Sequence, residues 1–331
     1  MAWLVQPRLV NEPYSDPTLL LDFAFARRAL LFDLGDLAAL SAREIVRTTH
    51  VFVSHMHMDH FSGFDRLLRL NLYQSRTVHL VGPPGLCDAV AAKLAAYTWN
   101  LLGPHSADFR LVAQEWLPGL AGCRSLFAAQ AAFRRQELAP CEPSGRMLLE
   151  ESDFTVEAVP LDHGIPCLAF ALQETLRVNV HRPALEAVGL PVGPWLTVAK
   201  QAMRRGDPGG TEIPVDAGRS VTLGWLRERG VLQAGPGQRI TYATDLGASP
   251  ANVEALVSLA RGSDMLFIEA GFLAEDAAMA ARKNHLTAAQ AGGIARAAGV
   301  VHARPMHFSS RYLGREEGLR QEFEAAFQGT A

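Results

Sequence analysis

The densest chemistry in the sequence is Ser54-His55-Met56-His57-Met58-Asp59-His60, directly after the apolar run Val51-Phe52-Val53. In an extended segment, residues two apart point to the same side, so His55 and His57 can converge on one point. Asp59 and His60 follow where the chain turns toward a helix and, being adjacent, can reach a different point. The segment thereby offers two ligands to each of two neighbouring metals. Neutral imidazole plus carboxylate suits zinc, with manganese or iron as alternatives. Burying so many polar groups without a partner would be costly, which argues for metal binding.

Two metals need more donors than one segment holds. His163, Asp245 and His307 each close an apolar run (156–161, 240–243 and 300–306) and open into a loop. Functional side chains concentrate in that setting.

The elements that must position these residues are short. Apolar runs at 19–21, 29–32, 51–53 and 77–81 have strand length, and the second closes on the turn signal Asp33-Leu34-Gly35-Asp36. Helical patterns cover 61–70 and 86–99. The C-terminal half repeats the style, with strands at 240–243, 264–268 and 300–306 and an alanine-rich helix at 286–298 despite Gly292 and Gly293. Strands alternating with helices in both halves predict an α/β sandwich with helices outside packed sheets. The span 173–210 differs: Arg177, His181, Arg182, Lys200, Arg204 and Arg205 mix with Gly-Pro punctuation and little periodicity. Composition leaves two readings of it, an ordinary surface loop or a protruding arm, inserted in a single domain covering 1–331.

Bulk properties exclude several classes. With 331 residues, 49% hydrophobic and 20% charged, the chain can bury a large core and is not disordered. A net charge of −3 excludes coating nucleic acid by bulk positive charge, though not a local basic patch. No apolar run reaches the roughly 18 residues of a membrane span, and the N-terminus lacks a secretory pattern. The expectation is a soluble, cytoplasmic protein with no membrane partner. Cys87, Cys123, Cys141 and Cys167 lie far apart without a CxxC, giving neither a zinc knuckle nor a disulfide framework.

The pattern His55-x-His57-x-Asp59-His60 resembles the signature of the metallo-β-lactamase fold. Further segments resemble ribonuclease Z, the endonuclease that trims the 3′ end of precursor tRNA. These are Leu161-Asp-His-Gly-Ile-Pro166, Gly189-Leu-Pro-Val-Gly-Pro194, Thr244-Asp245 and Ile268-Glu269-Ala270-Gly271-Phe272. Asn284-His285-Leu286-Thr287 and His307-Phe308-Ser309-Ser310-Arg311-Tyr312 complete the series, in family order, over residues 54–312. There are departures: Gln6-Pro-Arg-Leu-Val-Asn11 only loosely echoes the family's opening loop. Ile268 replaces a histidine, Leu286 replaces a serine, and the stretch from His60 to His163 is long, with Tyr97-Thr-Trp-Asn100 and Phe133-Arg-Arg135 in the extra material.

The resemblance implies an αββα sandwich of two mixed sheets and two zinc ions. One metal would be held by His55, His57 and His163, the other by Asp59, His60 and His307, with Asp245 bridging. Two such ions share a water, lower its pKa and offset transition-state charge. His285, outside the ligand set, would protonate the departing 3′ oxygen, Glu269 would orient it, and Asp59 would help to position the attacking hydroxide. Substrate contacts would come from Arg311, the arm motif around Gly193 and Pro194, and Lys200, Arg204 and Arg205, aided by Arg177 and Arg182. A homodimer acting on precursor tRNA is implied. The competing readings are a related hydrolase of small phosphodiesters, sulfate esters or lactams and lactones, and a non-catalytic RNA-binding module.

Overall fold

A computed structural model describes residues 3–24, 26–140 and 145–330. Two mixed sheets face one another. The first, among the described residues, runs in sequence order through eight strands: Val5–Leu9, Leu19–Phe23, Ala29–Phe32, Thr48–Phe52, Arg76–Gly82, Phe109–Glu115, Arg124–Ala128 and Arg135–Glu137. Its middle pairings, from Ala29–Phe32 to Phe109–Glu115, are parallel and its flanks antiparallel. The second orders His302–Met306, Met265–Glu269, Arg239–Ala243, Pro166–Glu174, Phe154–Asp162 and Met147–Glu150.

The uninterrupted apolar runs follow from burial on both faces. Leu30 and Phe32 point between the sheets, where Phe52, Phe170 and Tyr242 meet them. Leu31 and Val51 point outward, under the helices Ala42–Arg47, Phe64–Asn71 and Leu86–Ala95. The second sheet is covered by Pro250–Ala260, Ala288–Ala297 and Glu316–Gln328. Gly292 belongs in its helix because an added Cβ would lie 2.2 Å from the Phe323 carbonyl of the crossing helix. No helix among the described residues is long and apolar enough to cross a membrane.

Three readings of the sequence are corrected. The helix expected at 61–70 is Phe64–Asn71, preceded by a 3-10 turn at Met58–His60. Gly63 separates them, tucked so close to Gly35 that a Cβ would sit 2.2 Å from its carbonyl oxygen. The helix expected from Leu286 starts at Ala288, because Thr287 and Gln290 form a reciprocal capping box. The arm differs most. Gln173 still belongs to the main sheet, paired with Thr155 and Arg239, and the inserted unit extends past 210 to the strand Leu232–Gly235. It pairs Arg177–Val180 with Leu232–Gly235 and Glu212–Asp216 with Arg219–Thr222. Trp195, Leu196, Ala199 and Ala202 line one face of the helix Trp195–Arg204 and bury against Ile213, Leu223 and Leu226. The arm is thus a satellite with its own apolar cluster, whose partners lie beyond the span that the composition marked.

Candidate metal centre and proton relay

The strand Thr48–Phe52 ends three residues before His55, whose ring is fully buried. The loop then carries His57 outward and the 3-10 turn presents Asp59 and His60. His163 follows the end of Phe154–Asp162, Asp245 lies just past Arg239–Ala243, and His307 directly follows His302–Met306. All seven predicted ligands meet at these adjacent strand ends. Donor atoms of His55, His57, His163 and Asp245 lie within 4.8 Å of one another, as do those of Asp59, His60 and His307. Asp245 sits between the groups: Oδ2 is 3.6 Å from His55 Nε2, 3.6 Å from His60 Nε2 and 3.5 Å from His163 Nε2. Its Oδ1 is 3.0 Å from His307 Nδ1.

The donor chemistry fits divalent cations. His60 Nε2 is buried without a hydrogen-bond partner, between carboxylates of Asp59 at 3.4 Å and Asp245 at 3.6 Å. His55 Nε2 and His57 Nδ1 face one another at 3.0 Å. Burial, with His60 nearby, pushes His55 down to about 2, so it is a neutral donor. Burial works against charge on His307 as well, but Asp245 and Asp59 override it and raise the ring to about 10. The same contest, won by Asp33 and Asp245, holds His60 well above the ordinary range. Both carboxylates of the cluster, Asp59 and Asp245, are held low by their histidine neighbours against the effect of burial. At neutral pH the two carboxylates are therefore ionised and balanced by the protonated rings of His60 and His307, whose protons a bound cation would replace.

Further residues hold the candidate ligands in place. Asp33, read only as a turn residue, places Oδ2 2.8 Å from His60 Nδ1. It also accepts from the Tyr242 hydroxyl at 2.8 Å and the Ser54 amide at 2.6 Å. The Asn284 carbonyl lies 2.8 Å from His163 Nδ1. Asp33, Asn284 and His307 all have positive φ, at 61°, 55° and 54°, and such local strain persists where the surroundings over-determine it. The available signal for Asp33 was the one used for Asp245, an acid closing an apolar strand.

Beside the cluster, His285 Nδ1 is 2.8 Å from Glu269 Oε2. Glu269 is fully buried, and its Oε1 accepts from the Leu246 amide at 2.7 Å. The His285 ring lies 4.8 Å from that of His163. Ile268 and Leu286 are buried in the apolar layer under the helices, which explains how these departures coexist with an assembled site.

The expected substrate contacts are less uniform. Arg204 is a correction: its side chain is 7% exposed and pairs at 3.6 Å with the buried Glu174. It anchors the satellite at its root and cannot clamp a phosphate there. Arg205 pairs with Asp207 and Arg311 with Asp276, both near the surface. Gly193 and Pro194 lead into the helix Trp195–Arg204, and Lys200 sits half-buried on it. Arg177 lies over the Trp3 ring, and Arg182 is exposed.

A β-lactamase superfamily domain model matches residues 169–308. A ribonuclease Z from Deinococcus radiodurans is 33% identical over 328 residues, covering 98% of this chain and 95% of that protein. The chain belongs to the ribonuclease Z family. It is a hydrolytic nuclease of the ribonuclease Z type on the metallo-β-lactamase fold, which sets aside the non-catalytic alternative. A second ribonuclease Z, from Thermobifida fusca, is 32% identical and covers 90% of this chain and 80% of that protein. Among solved structures, the metallo-β-lactamase fold protein YhfI of Bacillus subtilis matches with a TM-score of 0.55 at 15% identity, over 98% of this chain and 94% of that one. The short form of human tRNase Z matches with a TM-score of 0.52 at 19% identity, over 93% of each. These two show the fold.

Proposed function

We propose that this ribonuclease Z family member hydrolyses a phosphodiester near the 3′ end of precursor tRNA in the cytoplasm, leaving a 3′-hydroxyl. The observation that carries this reading is the Glu269–His285 pair set against two converging donor groups. His55, His57 and His163 would hold one zinc ion and Asp59, His60 and His307 the other, with Asp245 between them. When bound, two divalent cations lower the pKa of an attacking water and offset charge on the phosphorane-like transition state. His285 holds a proton on the face away from Glu269 and delivers it to the departing 3′ oxygen. Glu269, fixed by the Leu246 amide, keeps the imidazole upright and stabilises its charge. Asp59, 38% exposed at the mouth, accepts hydrogen bonds there and helps to orient the nucleophile.

The satellite, through Arg182, Lys200 and Arg205, supplies the local basic surface for RNA phosphates. A homodimer would bury the apolar residues exposed around the helices Phe64–Asn71 and Leu86–Ala95, among them Met58, Tyr73 and Tyr97. The deciding experiment incubates purified protein with a 3′-extended tRNA and maps the products, with metal content measured in parallel. Specific cleavage with close to two zinc ions per chain supports the proposal. Turnover of bis(p-nitrophenyl) phosphate with intact tRNA unprocessed would favour the small-phosphodiester reading.

A further inference from the structure

The fold joins two cysteines that stand 36 positions apart in the sequence. Cys87 is the second residue of the helix Leu86–Ala95, and Cys123 immediately precedes the strand Arg124–Ala128. Glu115 ties the two together. Its backbone amide donates to the Cys123 carbonyl at 2.8 Å, and its Oε1 accepts from the amides of Gly85 and Cys87, each at 3.0 Å. Both sulfurs and the Glu115 carboxylate lie within 4.8 Å of one another. Gly122 permits this approach, since a Cβ there would stand 2.0 Å from the Glu115 carbonyl oxygen.

We propose that Cys87 and Cys123 form a reversible disulfide, making this edge of the first sheet a thiol-modification site remote in role from the metal centre. The two sulfurs are chemically unlike. Cys123 is half-buried and so within reach of solvent, with Arg135 Nη2 at 3.0 Å and the Glu137 carboxylate at 3.8 Å from its sulfur. The thiolate is the attacking species in disulfide exchange. Cys87 lies inside the apolar layer, burial pushes its thiol up, and the thiol donates to the Ala113 carbonyl at 3.6 Å. Cys123 is therefore the entry point and Cys87 the resolving thiol.

The co-reactant is a small-molecule disulfide such as glutathione disulfide. The Cys123 thiolate attacks one sulfur and expels a thiolate, giving a mixed disulfide. Cys87 then loses its proton to the expelled thiolate, attacks the Cys123 sulfur and releases the second small thiol. Two protein thiols are oxidised and one small disulfide is reduced to two thiols. A metal held by Cys87, Glu115 and Cys123 fits less well. The Arg135 guanidinium already faces the Cys123 sulfur, fixed by Asp88 at 2.6 Å and Glu137 at 2.7 Å.

The test treats the full chain with glutathione disulfide under native conditions, blocks free thiols and maps peptides. The expected result is a cross-linked peptide pair containing Cys87 and Cys123, reversed by dithiothreitol. In Cys87→Ser, Cys123 should retain bound glutathione, which the wild type does not accumulate. Persistent glutathione on Cys123 of the wild type without a cross-link would overturn the proposal. So would zinc in the purified wild type whose amount falls when Cys87 and Cys123 are replaced by serine.

Discussion

Glu269 Oε2 lies 2.8 Å from His285 Nδ1 while its other oxygen is held by the Leu246 amide, so the carboxylate is fixed at both ends. His285 in turn is 19% exposed beside the buried His163 and Asp245. That geometry suits the proton transfer proposed for the pair at the edge of the cluster.

Replacing His285 with alanine should therefore leave metal content unchanged and lower kcat on RNA by roughly 10²–10⁴-fold, the usual contribution of a positioned general acid. The loss should shrink on a p-nitrophenyl ester, whose leaving group departs without a proton. Glu269→Gln should follow the same pattern more mildly. Equal losses on both substrates, read beside metal analysis, would exclude His285 as the donor.

The pH profile carries a matching sign. Burial opposes charge on His285, but Glu269 outweighs it and raises the ring above its ordinary 6.5. The acid form is fully present below that value and is lost as pH rises through the elevated one. Glu269→Gln should thus move the alkaline limb of kcat toward lower pH for RNA. The p-nitrophenyl ester should show no such displacement.

Asp33 should matter to the metal without touching it. Partners that orient a ligating histidine typically contribute 10–100-fold to metal affinity. Asp33→Asn should weaken binding by about that factor, measured by competition with a chelator. Unchanged affinity would show that the 2.8 Å contact to His60 is incidental.

Acid stability has a separate source. His50 stacks on His79 at 4.7 Å, and burial, with His79 beside it, lowers its pKa from 6.5 to about 3. A histidine buried neutral favours the unfolded state as pH falls below 6.5, since only the unfolded chain then takes up the proton. Between pH 7 and 5 this linkage amounts to up to about 2 kcal/mol. Urea denaturation of wild type and His50→Phe at both pH values should show a smaller acid loss in the variant.

The satellite can be removed if Glu174→Gln is introduced at the same time, because the buried partner Arg204 leaves with the deleted span. The Glu174 amide donates to the Gln238 carbonyl at 2.8 Å, so a short turn can join these residues and close the sheet. The shortened protein should still hydrolyse bis(p-nitrophenyl) phosphate and fail on precursor tRNA. Unimpaired tRNA cleavage would show that the satellite does not grip substrate.

The sequence by itself marked the candidate donors. A histidine–aspartate run after a strand, and isolated polar residues ending apolar runs, expose the ligand positions because strand ends leave side chains free to converge. His55, His57, Asp59, His60, His163, Asp245 and His307 were all legible on that ground or by family resemblance. Tertiary structure alone decided which residues support them and where the surface charge goes. Asp33 looks like any turn acid until the second sheet brings Tyr242 against it. Arg204 looks like a free cation until the satellite folds onto Glu174. Cys87 and Cys123 look unrelated until the helix Leu86–Ala95 packs on the sheet. In each case the partner lies far along the chain, and neither local periodicity nor composition encodes a contact that depends on how distant elements pack.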